Sequence, residues 1–187
     1  MRERGATETI RTSARVNEGP QDDLNSIPQE GVVGANLGSQ PALDVEHGWI
    51  KVVEFGEGKF TQHLLDGRHR LLADEPVEAD GNDRGPNPYE LLLMALGACT
   101  AMTIRLYVER KKWPLTRIAV RLRHGRIYAR DCADCETKEG MLDEIERVIE
   151  IDGPLDAEQK QRILEIADKC PVHRTLTSEI KIRSRLA

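Results

Sequence analysis

From Leu91 to Met102 the chain carries no charged residue and almost no polar one. This run lies inside residues 85–107, GPNPYELLLMALGACTAMTIRLY, which read as one helix. A helix that is apolar on every face must be buried all round. Its start is well signalled: Asn87 can cap the first free N–H groups, Pro88 sits where a missing donor costs nothing, and Glu90 completes a capping box. Trp113-Pro114 ends it, because proline disfavours helical geometry in the residue before it. A domain of this size rarely encloses a helix with its own elements, so a second subunit is expected to supply part of the packing. Gly97 and Ala101, with Ala95, Ala98 and Cys99 nearby, would allow another backbone to approach.

Cys99 lies about three turns into this helix, beyond useful reach of the macrodipole. An ordinary thiol, with a pKa of about 8.5, is only a few per cent thiolate at neutral pH, and apolar burial lowers that fraction. Cys99 is therefore either a small core residue or a reactive thiol that depends on a cation brought from elsewhere.

The chain has 187 residues, enough for one compact domain that buries about two-thirds of its unfolded surface. Its net charge is -5, with acidic and basic residues interspersed, which gives no reason to expect a nucleic-acid partner. The apolar run Leu91–Cys99 is short for a membrane span and charge follows it. The start MRERGATETIRTSARVNEGPQDD has no apolar core of a secretory signal, so a cytoplasmic protein with reduced cysteines is expected.

Residues 1–44 are polar and lack a sustained apolar period, which suggests an arm, partly disordered, ahead of a domain over 45–187. Three strand-length segments follow, Trp49–Glu54, Lys59–Leu64 and His69–Ala73, separated by Gly56-Glu57-Gly58 and Asp66-Gly67. They predict an antiparallel meander. After the central helix, Arg117–His124 alternates as a half-buried strand, and Glu144–Ile151 is β-branched and ends at Gly153-Pro154. Asp156–Lys169 is amphipathic and capped by Asp156, Cys170–Leu176 terminates it, and Ser178–Arg185 alternates as a last strand. The order βββ-α-ββ-α-β is α+β with a mainly antiparallel sheet.

Cys99 and Cys170 are each attached to a helix, and a cytosolic thiol pair can reduce a peroxide through a sulfenic acid that the second thiol resolves as a disulfide. Sequence separation alone does not place them together. Cys132 and Cys135 form a C-x-x-C on a loop or hairpin tip, open to three readings: a redox pair, half a zinc site to which His124 and His173 could add, or two loop thiols.

Three stretches carry a resemblance: GPNPYELLLMALGACTAMTIRLY, IADKCPVHRTL at 166–176 and GRHRLLADEP at 67–76. Together they resemble the OsmC/Ohr family of thiol-dependent hydroperoxide reductases over residues 45–187. The resemblance implies an OsmC-like fold and an intertwined homodimer, with sheets from both chains around two central helices. It also implies a peroxidatic Cys99, a resolving Cys170, an organic hydroperoxide as substrate, recycling by a dithiol such as a dihydrolipoyl group, and neither cofactor nor metal. The family's activating Arg has no counterpart in Val53-Glu54-Phe55-Gly56, and the place of its orienting Glu is taken by Tyr89, with Glu90 one residue later. Arg68 is the substitute cation, with Arg70 next, and Glu90 the substitute acid. The alternative is a non-peroxidatic member that binds a small apolar or thiol-reactive ligand, or a metal at Cys132 and Cys135.

Overall fold

The computed structural model describes residues 45–54 and 56–186. The expected arm over residues 1–44 lies outside them. Three short strands, β1 (Lys51–Glu54), β2 (Gln62–Leu65) and β3 (Arg70–Ala73), form the antiparallel meander in the order β1-β2-β3. A 3-10 turn over Val77–Ala79 leads to helix α1 (Pro88–Lys111). Asp74, only 2% exposed, accepts from the Thr61 hydroxyl at 2.8 Å and from the backbone N–H of Glu75, pinning this approach segment to the sheet. At Gly85 the backbone runs so close to β3 that a Cβ would sit 2.3 Å from the Leu72 carbonyl oxygen.

α1 begins as its residues require. The Asn87 side chain accepts from the Glu90 N–H, and the Glu90 carboxylate accepts from the Asn87 N–H at 2.8 Å. It ends at Lys112, whose left-handed φ of 55° breaks the ladder just before Trp113-Pro114. Strands β4 (Arg117–Tyr128) and β5 (Met141–Asp152) then form a twelve-residue antiparallel hairpin in the register Arg117↔Asp152 to Tyr128↔Met141. Its outer face carries the ion pairs Arg117–Asp152, Arg121–Glu150 and Arg123–Glu146. Its inner face carries Ile118, Val120, Leu122 and His124 opposite Ile151, Ile149, Arg147 and Ile145. Helix α2 (Ala157–Ala167) is capped by Asp156 with Gln159, and a short helix α3 (Pro171–Leu176) follows with Cys170 at its N-cap.

The core lies where the C-terminal half of α1 meets α2 and the start of the hairpin. Ile104, Val108, Leu115, Leu155, Ile163, Ile166 and Ala167 are buried together, with Tyr107, Trp113, Ile118, Ile149 and Ile151 against them. Arg105 ties α1 to the following loop by donating to the carbonyls of Leu115 and Thr116.

Two expectations need correction. Ser178–Arg185 is not a strand within this chain: the segment has no regular secondary structure and is exposed, with Ile180 52% and Ile182 84% accessible. A strand needs an edge to pair with, and none of the described strands reaches it. Cys170–Leu176 is not simply a stop, since Pro171 occupies the first position of a new helical turn, where its missing N–H costs nothing. Within one chain α1 is also not buried on all sides: Tyr89, Met94, Met102 and Leu106 are each more than half exposed. By length and composition α1 is the one helix among the described residues able to cross a membrane, yet β4, α2 and α3 pack on it as on a core helix.

Candidate active site

Cys99 and Cys170 are brought together. α1 carries Cys99 half-buried, and the turn from α2 into α3 carries Cys170, which is fully buried, to the same place. The two thiols lie close enough for each to shift the other's proton. Burial pushes the Cys99 thiol up, and donating its proton to Cys170 pushes it further, against hydrogen bonds from the Val172 N–H and the Thr103 hydroxyl. Burial also opposes an anion at Cys170. There, however, the hydrogen bonds win: the Cys99 thiol, the N–H groups of His173 and Val172, and the Thr100 hydroxyl bring Cys170 below the ordinary thiol range. The arrangement is a proton-sharing pair in which Cys170 is the more acidic sulfur and Cys99 the more accessible one.

Arg68 and Glu90 are placed elsewhere in the chain. Arg68 sits in the exposed turn between β2 and β3, and its N–H donates to the Asp66 carboxylate at 2.8 Å. Glu90 holds the capping box and lines the rim of an apolar groove of about 470 Å³ with Leu93, Met94, Gly97, Ala98, Ala101, Val120 and Leu122. Neither is among the groups hydrogen-bonded to the thiols.

Three residues near the pair were not singled out by the sequence: Thr100, Thr103 and Arg147. Thr100 is fully buried, and Arg147 reaches it from the inner face of β5. The signal for Arg147 was present, since Ile145-x-Arg147-x-Ile149-x-Ile151 puts one cation on the apolar side of a strand. A charge at such a position is costly unless paired, and so marks a site worth examining.

Cys132 and Cys135 lie between β4 and β5, at the hairpin tip, and are joined in a disulfide with Cα atoms 5.5 Å apart. This differs from the expectation of reduced thiols, and the reason is local: the turn holds the two Cα atoms within the span a disulfide bridges. Their sulfurs and an Asp134 carboxylate oxygen lie within 4.8 Å of one another. With both sulfurs in the bond, the motif is here an oxidised pair rather than a set of metal ligands.

The OsmC-like protein family matches residues 81–185, which include the whole of α1, the hairpin and both cysteines of the pair. The chain belongs to this family. Among solved structures, an OsmC-like protein from Mycoplasma pneumoniae aligns with a TM-score of 0.54 at 20% identity, covering 72% of this chain and 89% of that one. An organic hydroperoxide resistance protein OsmC from Legionella pneumophila gives 0.50 at 20%, covering 69% and 88%. An organic hydroperoxide resistance protein from Elizabethkingia anophelis with thiocyanate bound gives 0.51 at 21%, covering 71% and 91%. These likenesses establish the OsmC fold. A search of curated proteins finds no match.

Proposed function

We propose that this OsmC-like protein is a cytoplasmic peroxidase that reduces organic hydroperoxides, with Cys99 attacking and Cys170 resolving, and that it protects against oxidative stress. The observation that carries the reading is the contact between the two thiols, one accessible and one acidic, contributed by helices far apart in the chain. A sulfenic acid formed on Cys99 would already touch the thiol that resolves it, and an external dithiol, such as a dihydrolipoyl group, would restore the pair. The names of the hydroperoxide resistance proteins sharing the fold support the same substrate class. The protein acts as a homodimer, a state supported by the open outer side of α1 and the unpaired C-terminal segment.

A second reading is favoured by one observation: Glu90 is held by the capping box, and neither its carboxylate nor the Arg68 guanidinium is among the groups that shift the two thiols. On that reading the groove binds a small apolar or thiol-reactive molecule without turnover. The deciding experiment is the intact mass of reduced protein after one equivalent of an alkyl hydroperoxide, with peptide mapping. Rapid loss of two hydrogens located to a Cys99–Cys170 disulfide is the expected result. Thiols that react no faster than free cysteine, or a loss located only to Cys132 and Cys135, would transfer the assignment to the second reading.

A further inference from the structure

The tip of the β4–β5 hairpin carries sulfur and carboxylate atoms that the thiol-pair chemistry does not use. Its loop is closed at the base by the Ala129 N–H donating to the Gly140 carbonyl at 2.9 Å, and the 3-10 turn over Ala129–Asp131 brings the Cys132 N–H to the Ala129 carbonyl at 3.2 Å. Ala129 is buried and anchors that base, while Cys132 and Cys135 are half-buried and Asp134 is exposed. Within one chain this tip is remote from Cys99 and Cys170. Arg147, which donates to Thr100 next to Cys99, pairs with Leu122 in the hairpin, and the last pair, Tyr128 and Met141, lies six positions further along. At about 3.3 Å per residue that is about 20 Å, too far for a sulfur of one pair to attack the other.

The two tip sulfurs and an Asp134 carboxylate oxygen all lie within 4.8 Å of one another, and the Cys132 sulfur is 3.4 Å from an Asp134 carboxylate oxygen. With the sulfur in a disulfide and the carboxylate an acceptor, neither atom brings a proton to that contact. A tetrahedral zinc-type ion, bonded to sulfur at about 2.3 Å and to oxygen at about 2.0–2.2 Å, spaces a sulfur and an oxygen ligand by about 3.6 Å and two sulfurs by about 3.8 Å. The edge from Cys132 to Asp134 is close to the first of these. The second is reached by side-chain rotation once the disulfide is reduced, since the two Cα atoms are 5.5 Å apart. Lys138 donates to the Cys135 carbonyl, and a cation held on the loop favours thiolate over thiol. The histidines that the sequence offered as further ligands are elsewhere: His124 is hydrogen-bonded to Asp143 at 2.9 Å and stacked on Tyr89, and His173 of α3 lines a cavity with Arg147.

We propose that the hairpin tip is a redox-gated site for a thiophilic divalent cation, held by Cys132 and Cys135 as thiolates and by the Asp134 carboxylate, with the fourth position left to water. The disulfide closes the site, because its sulfurs have no thiolate charge to offer. An external dithiol opens it. One of its thiols attacks a tip sulfur and the S–S bond breaks; its second thiol resolves the mixed disulfide, and the reagent leaves as its own disulfide with Cys132 and Cys135 as thiols. The cation then displaces both thiol protons to solvent. This site is independent of the peroxidase reading and stands or falls without it.

The test uses the full chain, reduced with a phosphine, freed of reductant and titrated anaerobically with Co²⁺ alone. The expected result is one equivalent bound, with sulfur-to-cobalt charge-transfer absorption and the visible bands of a tetrahedral ion, both lost when Zn²⁺ displaces the cobalt. Protein with the Cys132–Cys135 disulfide intact should show neither. Cys132→Ser/Cys135→Ser should abolish the absorption, Asp134→Ala should weaken binding about tenfold or more, and Cys99→Ser should leave it unchanged. Absence of the charge-transfer band in the reduced parent overturns the proposal. So does a band that persists in Cys132→Ser/Cys135→Ser or disappears in Cys99→Ser, since either puts the ion on the other thiols. An affinity that Asp134→Ala leaves unchanged overturns the three-ligand site, and if the double serine variant does not fold, Asp134→Ala against the parent decides alone.

Discussion

Gly153→Ala tests whether the turn between β5 and α2 sets the position of Cys170. Gly153 has φ +141°, and a Cβ there would lie 2.3 Å from the Pro114 carbonyl oxygen and 3.1 Å from the Leu115 Cα. Both neighbours are backbone, held by the Thr116 N–H donating to the Asp152 carbonyl at 2.8 Å, so neither can swing away as a side-chain end could. The dihedral alone costs about 1–3 kcal/mol for a residue with a Cβ. The clash adds about 1–3 kcal/mol of overpacking, and the lower entropy of the unfolded alanine chain offsets about 0.4–1 kcal/mol. The net loss is about 1–6 kcal/mol, which at an m-value of about 2–3 kcal/mol per M lowers the urea midpoint by about 0.3–3 M. The assay is equilibrium urea unfolding followed by circular dichroism, with hydroperoxide-driven Cys99–Cys170 disulfide formation measured in the surviving folded protein. The disulfide should form more slowly, because α2 and the turn into α3 hang from this residue. A midpoint within about 0.2 M of the parent would refute the reasoning, since it would mean the Pro114–Leu115 backbone yields freely.

Two further outcomes follow from the same structure. Asp66 accepts from the His69 side chain and from the N–H groups of His69 and Arg68, which hold its carboxyl well below the usual range; its stabilisation is therefore complete above the unfolded pKa of about 3.9 and is lost as pH falls through the lower folded value. The urea midpoints of parent and Asp66→Asn should converge as pH falls below about 4, and a gap independent of pH would refute this. Met102→Glu places a charge on the open side of α1, at a residue 70% exposed in one chain, and should turn a dimer into a monomer by light scattering with helix content retained. A monomeric parent would refute the dimer.

What could be read in the sequence was what is decided locally. The capping box of Asn87 and Glu90, the left-handed break before Trp113-Pro114 and the β-branched run Ile145–Ile151 all depend on neighbours within a few residues, and each formed as its residues dictate. The alternation Ile180-x-Ile182 was equally legible, but strand formation requires an edge that this chain does not offer. α3 was missed because Cys170-Pro171 carries two meanings, the end of α2 and the first position of a new turn. The contact between Cys99 and Cys170 has no local signal at all. It depends on α2 packing through Ile163 and Ile166 against Ile104 and Val108, so the sequence could nominate both sulfurs but not join them. Arg68 was sought as a cation next to the first hairpin and sits in the exposed turn between β2 and β3, while Arg147, which donates to Thr100, was identifiable only by the face of the strand it occupies.

Arg147, on β5, ties α1 to the end of α2 by donating to Thr100, the Ala167 carbonyl and Asp168. The groups that bring the Cys170 thiol down, namely the Cys99 thiol, the N–H groups of His173 and Val172 and the Thr100 hydroxyl, all belong to one chain. The groove lies on the opposite side of α1, since Cys99 is about 200° round the helix from both Gly97 and Ala101. Met94, Ala98 and Ala101 form one wall with Val120 and Leu122, and the side facing away from the hairpin stays open in a single chain. An alkyl group gains from burial only when water is excluded on both sides. Met102, Leu106, Ile180 and Ile182 are each more than half exposed, apolar surface of the kind that marks an interaction site.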